Sequence, residues 1–148
     1  MKSIIKLALV NTGIKETSGS LALLIFRVSA SIMIMTHGWF KLQNFTTLSQ
    51  EFADPIGLGG KLSLTLLTGA EFFAPLFVIA GFFTRLSLIP MVFSMSVAAF
   101  VAHASDPFQV KEMAFLYLLI FLVLLILGPG KYSADYLLFN LGRREKSK

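Results

Sequence analysis

A carboxylate in the middle of an apolar stretch long enough to cross a bilayer constrains this chain more than any other feature. The stretch runs from Leu62 to Thr84 and reads LSLTLLTGAEFFAPLFVIAGFFT, with Glu71 near its centre. A charge at that depth costs ~2.5–3.5 kcal/mol on insertion scales, so it needs a partner. Pro75 follows four residues later. Proline lacks an N–H and crowds the carbonyl of residue i−4, here Glu71's own, so a kink is expected at this turn. Irregular backbone at membrane depth is tolerated only where protein or trapped water satisfies it. Glu71 is therefore expected to face the inside of a helix bundle.

Composition agrees with a membrane solvent. Hydrophobic residues make up 55% of the 148 residues, charged residues 14%, and the mean hydropathy is +0.76. A soluble domain carries about 25% charged residues. The absence of cysteine excludes disulfides, thiolate chemistry and Cys-ligated metal or iron–sulfur sites within this chain. The net charge of +5 sits on basic residues at helix ends, which points to membrane orientation, with no nucleic-acid partner.

The pattern predicts an all-α membrane protein: an antiparallel bundle of four transmembrane helices flanked by short amphipathic terminal segments. Residues 1–20 read as an amphipathic segment lying on the membrane surface, with Lys2 and Lys6 among Ile4, Ile5, Leu7 and Leu9. Residues 21–130 hold the four spans: Leu21 to about Phe40, Leu62 to Thr84, Leu86 to Ala102, and a fourth ending at Leu127 before Gly128-Pro129-Gly130. Asp106-Pro107-Phe108-Gln109 reads as the start of the fourth helix, with Asp106 as N-cap. The polar segment Leu42 to Lys61 is too long for a plain turn and is expected to fold over the bundle mouth. Residues 131–148 read as an amphipathic piece capped by Ser133, then a basic tail.

Four spans put both termini on one side. That side carries nine Lys and Arg residues: Lys2, Lys6, Lys15, Arg85, Lys131, Arg143, Arg144, Lys146 and Lys148. The other carries three, Lys41, Lys61 and Lys111. The positive-inside rule then places both termini in the cytoplasm of a multi-pass protein.

Six polar residues are candidates for a cavity or ligand site. Arg27 lies in the first span, and a 1.5 Å rise per residue puts it within roughly 5 Å in depth of Glu71. An intramembrane Arg27–Glu71 ion pair is the expected way to keep both charges. His37 and Lys41, i and i+4 on one helix, reach the far end with His103 and Glu112. Two histidines at one level are also a pattern for haem or a metal. Hydrogen bonding to a ligand, or proton exchange with it, is the favoured reading, and no metal site is assigned.

The layout resembles the DoxX family of small bacterial membrane proteins. The features that carry the resemblance are Arg27, His37-Gly38-x-x-Lys41, Gly69-Ala70-Glu71, Phe83-Thr84-Arg85, His103, Glu112 and Gly128-Pro129-Gly130-Lys131-Tyr132-Ser133-x-Asp135, over roughly residues 20–140. This chain departs from the family by carrying Phe72, Phe73, Ala74 and Pro75 after Glu71, where small glycines are common. The resemblance implies a four-helix bundle in the bacterial inner membrane. It also implies a link to quinone-coupled redox work, because relatives are subunits of thiosulfate:quinone oxidoreductase. Two functions follow as expectations. One is a quinone-linked redox protein or membrane subunit of an oxidoreductase, with quinone as cofactor and a redox partner protein or a second copy beside the surrounding lipid. The other is a non-enzymatic partner that assembles or anchors other membrane proteins.

The charge asymmetry yields a direct test. Reporter fusions at Lys148 and within residues 42–61 are expected to report opposite sides of the membrane, with Lys148 cytoplasmic. The same side for both would rule out the four-span topology.

Overall fold

The computed structural model describes residues 17–138; the amphipathic N-terminal segment and the basic tail expected from the sequence fall outside these residues, apart from the starts of α1 and of the final helix. The described chain is helical, in the order α1 (Thr17–Gln43), α2 (Phe45–Glu51), α3 (Gly60–Ala80), α4 (Thr84–Ala102) and α5 (Phe108–Leu127), with a further helical turn over residues 134–138. α1, α3, α4 and α5 are each long and apolar enough to cross a bilayer. Helices are the form that apolar runs must take there, because the hydrocarbon offers the backbone no partner.

The four long helices alternate in direction. One end of the bundle, here the loop end, carries α2 and residues 52–59. The other, the terminal end, carries the turn between α3 and α4 and the segment after α5. The core consists of Ile34 from α1, Val78 from α3, Leu88 and Met91 from α4, and Phe121 and Leu124 from α5. Large apolar side chains such as Ile32, Phe73, Ile89, Leu119 and Ile126 cover the outer surface, as a lipid solvent requires. Gly38 allows α1 to approach α3 closely: a Cβ there would lie 2.7 Å from the backbone carbon of Glu71.

The terminal end is tied together by Arg27 and Asp135. Arg27 is 2% exposed. Its Nη1 donates to the Pro129 carbonyl at 2.6 Å, and its Nη2 donates to the Tyr132 carbonyl at 2.6 Å and the Ile79 carbonyl at 3.4 Å. Asp135 accepts from the Phe83 N–H at 2.8 Å and the Thr84 N–H at 3.0 Å, so it caps α4. The Asp135 N–H returns to the Gly81 carbonyl at 2.8 Å. Ser133 caps the final helical turn as the sequence suggests, accepting from the Tyr136 N–H at 3.1 Å.

The expected Arg27–Glu71 pair does not form; Arg27 serves the 129–132 carbonyls instead. The reason is directional. Side chains on a helix lean towards its N-terminus. α1 and α3 are antiparallel, so Arg27 leans to the terminal end and Glu71 leans to the loop end. The backbone registers also differ more than expected, because the level of Glu71 on α1 is Gly38. Gly38 is 11 residues from Arg27, roughly 16 Å along the helix.

Gly81 sits inside this terminal knot with φ +68°, and a Cβ on it would lie 2.6 Å from Arg27 Nη1. Gly59 has φ +90° but faces open space. Both pay about 1 kcal/mol or more for a left-handed alanine. Gly81→Ala is expected to lower the melting temperature clearly further than Gly59→Ala, because it also dislodges the guanidinium. Equal losses would show that Arg27 does not depend on that approach.

Candidate functional site

Glu71 lies in a widened turn of α3, Gly69–Phe73, where the Ala74 N–H reaches back five residues to the Gly69 carbonyl. The proline at 75 cannot donate, which favours such a local rearrangement over a regular helix. Wide turns of this kind recur at functional positions. The carboxylate is 4% exposed as a residue and accepts from Lys41 Nζ at 2.5 Å. Lys41 stands near the loop end of α1 and leans towards the membrane centre, where Glu71 leans out to meet it. The pair is a charge-assisted hydrogen bond between groups 19% and 6% exposed.

A second pair stands at the loop end. α4 finishes in another widened turn, Ala98–Ala102, closed by the His103 N–H to the Ala98 carbonyl at 3.0 Å. His103 Nδ1 meets Asp106 Oδ2 at 2.7 Å. This corrects the expected role of Asp106. Helix α5 starts at Phe108 with no side-chain cap, and the Asp106 carboxylate orients the histidine instead. With Nδ1 committed, Nε2 is the ring nitrogen available to a ligand.

The segment after α2 forms a roof, as its length suggested. Asp54 accepts from the Gly59 N–H at 2.6 Å, the Leu58 N–H at 2.9 Å and Ser63 Oγ at 2.8 Å. The Gly59 backbone bond, then the Ser63 hydroxyl, hold its carboxyl below the usual carboxylate range, so it is ionised throughout the neutral range. This fastens Phe52, Ala53, Pro55 and Ile56 over the bundle.

Beneath the roof lies a cavity of about 670 Å³ between α3 and α4. Its walls are overwhelmingly apolar, with Lys41, Glu71, His103, Ser63 and Ser94 as the polar exceptions. Three of the six residues expected from the sequence are thus brought together: Lys41, Glu71 and His103. The other three are not. Arg27 is in the terminal knot. His37 is exposed and meets Tyr117 edge-on, ring centroids 6.1 Å apart. Glu112 is exposed on α5. Sequence reasoning missed the roof's anchor Asp54, the orienting role of Asp106 and the widened turn at Ala98–Ala102, while at Glu71 it expected irregular backbone without the wide form it takes. Asp106 was visible as a carboxylate three residues from His103; the wide turn at 98–102 has no comparable mark.

The Lys41–Glu71 pair generates a prediction. Breaking a buried pair leaves one charge uncompensated and costs up to about 3–5 kcal/mol. Lys41→Met and Glu71→Gln are each expected to lower the melting temperature of the purified protein, and the double variant to recover part of the loss. A double-mutant cycle with strictly additive losses would show no coupling and remove the pair as a stabilising unit.

Comparison with known proteins agrees with this architecture. The sequence profile of the DoxX family matches residues 22–104, which include Lys41, Glu71 and His103. The chain is 31% identical over 119 residues to the inner membrane protein YqjF of Escherichia coli (strain K12), an alignment covering 78% of this chain and 90% of that relative. No solved structure matches significantly. With four membrane-length helices and a family match over more than half its length, the chain belongs to the DoxX family of integral membrane proteins.

Proposed function

We propose that this protein is an inner-membrane quinone-binding component of a redox reaction, acting as a quinone-linked oxidoreductase or as its membrane subunit. The observation that carries the reading is the apolar cavity at membrane depth with one buried, hydrogen-bonded charge pair in its wall. Pockets for small ligands are mostly apolar with a few placed polar groups, and this one has the expected size. Its donor set suits a quinone head, which offers two carbonyl oxygens and no donor. Lys41 keeps ammonium protons beyond the one given to Glu71. His103, whose Nδ1–H is given to Asp106, can add a second donor at the other end from Nε2 as the imidazolium.

The bound quinone would supply the redox chemistry. The chain's own residues bind, orient and handle protons. Glu71 holds Lys41 in place and keeps its charge compensated in a low dielectric. Asp106 fixes His103 with Nδ1 outward, and the partly exposed pair connects the cavity to solvent at the loop end. The roof excludes bulk water from above. A redox partner protein would deliver or accept the electrons. With both termini cytoplasmic, the cavity would lie towards the outer leaflet, where His103 exchanges protons with the outside.

The test uses Trp39, the one tryptophan of the chain, whose ring centroid lies 5.8 Å from that of Phe72 beside Glu71. Titrating a short-tailed ubiquinone into the purified wild type is expected to quench its fluorescence saturably. The Lys41→Met/Glu71→Gln double variant is expected to bind at least about tenfold more weakly, the effect of one lost charge-assisted bond of ~1.5 kcal/mol. No saturable binding, or equal binding by the double variant, would refute a quinone site here.

A further inference from the structure

The cavity is covered on its water side and open on its lipid side. The roof residues Phe52, Pro55 and Ile56 lie over the loop end. Below them, three lining residues also stand on the outer surface of the bundle: Leu66 of α3 and Pro90 and Phe93 of α4. Leu66 is 51% exposed and Phe93 57%. The seam between these helices is uneven. The Ala74–Ala80 half of α3 packs firmly on α4, whereas the Gly60–Thr68 half parts from it. A side opening results at a depth where the surrounding solvent is acyl chain.

The opening is long. Lining residues run from Pro90 on α4 to His103 just past its end, about 20 Å by helical rise. A single ring head fills only a fraction of that length. The rest is a largely apolar cleft of Leu66, Leu67, Phe93 and Val97, and the Ser94 hydroxyl beside them is already given to the Met91 carbonyl at 2.9 Å.

Charge narrows the occupant further. Lys41 is paired with Glu71, and His103 with Asp106. Among the described residues no uncompensated cation lines the cavity, so an acidic headgroup would be placed against the Glu71 carboxylate without compensation. A neutral acceptor such as a carbonyl has no such cost and can take a Lys41 proton.

We infer that the ligand is an uncharged lipid with a carbonyl-bearing head and a long apolar tail, which enters sideways from the bilayer between α3 and α4. This rests on the quinone-site reading and adds the tail, the route and the exclusion of acidic lipids. The tail lies in the cleft and passes out between Leu66 and Phe93, while the head reaches Lys41.

The full-length protein in nanodiscs tests it. Three probes are compared by mass-spectrometric measurement of retained ligand: a decyl-tailed ubiquinone analogue, the same ring without a tail, and palmitate. The wild type is expected to retain the tailed quinone at least about tenfold more than the bare ring, as a ligand delivered from the bilayer should be. Palmitate is expected not to displace it. The Leu66→Trp/Phe93→Trp pair narrows the seam and is expected to lower the tailed-to-bare ratio about tenfold. The Leu66→Ala/Phe93→Ala pair widens it and is expected to leave the ratio at or above that of the wild type, which keeps the test alive if the tryptophan pair does not fold. A ratio equally low in both pairs, a ratio unmoved by the tryptophan pair, or displacement by palmitate would overturn the inference while leaving the quinone site standing. Failure of both quinones to bind the wild type would overturn the site itself, and the inference with it.

Discussion

A carboxylate cannot stand alone in hydrocarbon, and the Lys41–Glu71 pair is how this chain meets that constraint. Much of the loop-end half of the bundle follows from it. Glu71 must reach across to α1, so the helices must touch closely, and Gly38 permits the contact. The turn that carries Glu71 is widened, and Pro75 just beyond it cannot support a regular bond. Lys41 must then stop short of the water and bend inward. A site with charge but no net charge is the result, bordered by apolar walls.

The second polar centre obeys the same rule at the other end by different means. Among the described residues no carboxylate is in hydrogen-bond contact with Arg27. Backbone carbonyls of the 129–132 segment and of Ile79 receive its protons. Carbonyl oxygens are the acceptors that a loop must leave over when a helix ends at glycine and proline. The Gly128-Pro129-Gly130 break therefore does more than stop α5. It turns freed acceptors towards a buried guanidinium.

What could be read from the sequence follows from which features are local. Run lengths and composition are local, and they give the four helices with boundaries a few residues adrift, as at Thr84 where Leu86 was expected. Levels along the spans put Lys41 and His103 at one end of the bundle near Glu71, but they put His37 and Glu112 there equally, and the cavity is not lined by those two. The pairing was not legible. Depth along an axis places Cα atoms, whereas the partner is decided by the direction in which a side chain leans, and Arg27 and Glu71 lean apart. Asp106 illustrates the same limit. Beside Pro107 it has the look of a helix cap, yet the nearby imidazole outcompetes the helix for its oxygen. The widened turn at Ala98–Ala102 has no residue that announces it.

The terminal knot also sets an order in time. Arg27 is made early, and two of the carbonyls that satisfy it lie 102 and 105 residues later. At 5–20 residues per second the ribosome needs roughly 5–20 s to supply them. Throughout that interval the first helix carries a guanidinium for which its own sequence provides no lasting acceptor. Seating of α1 is thus tied to the emergence of the segment after α5, and a truncation before Tyr132 would take an acceptor from the first helix as well as the residues beyond it.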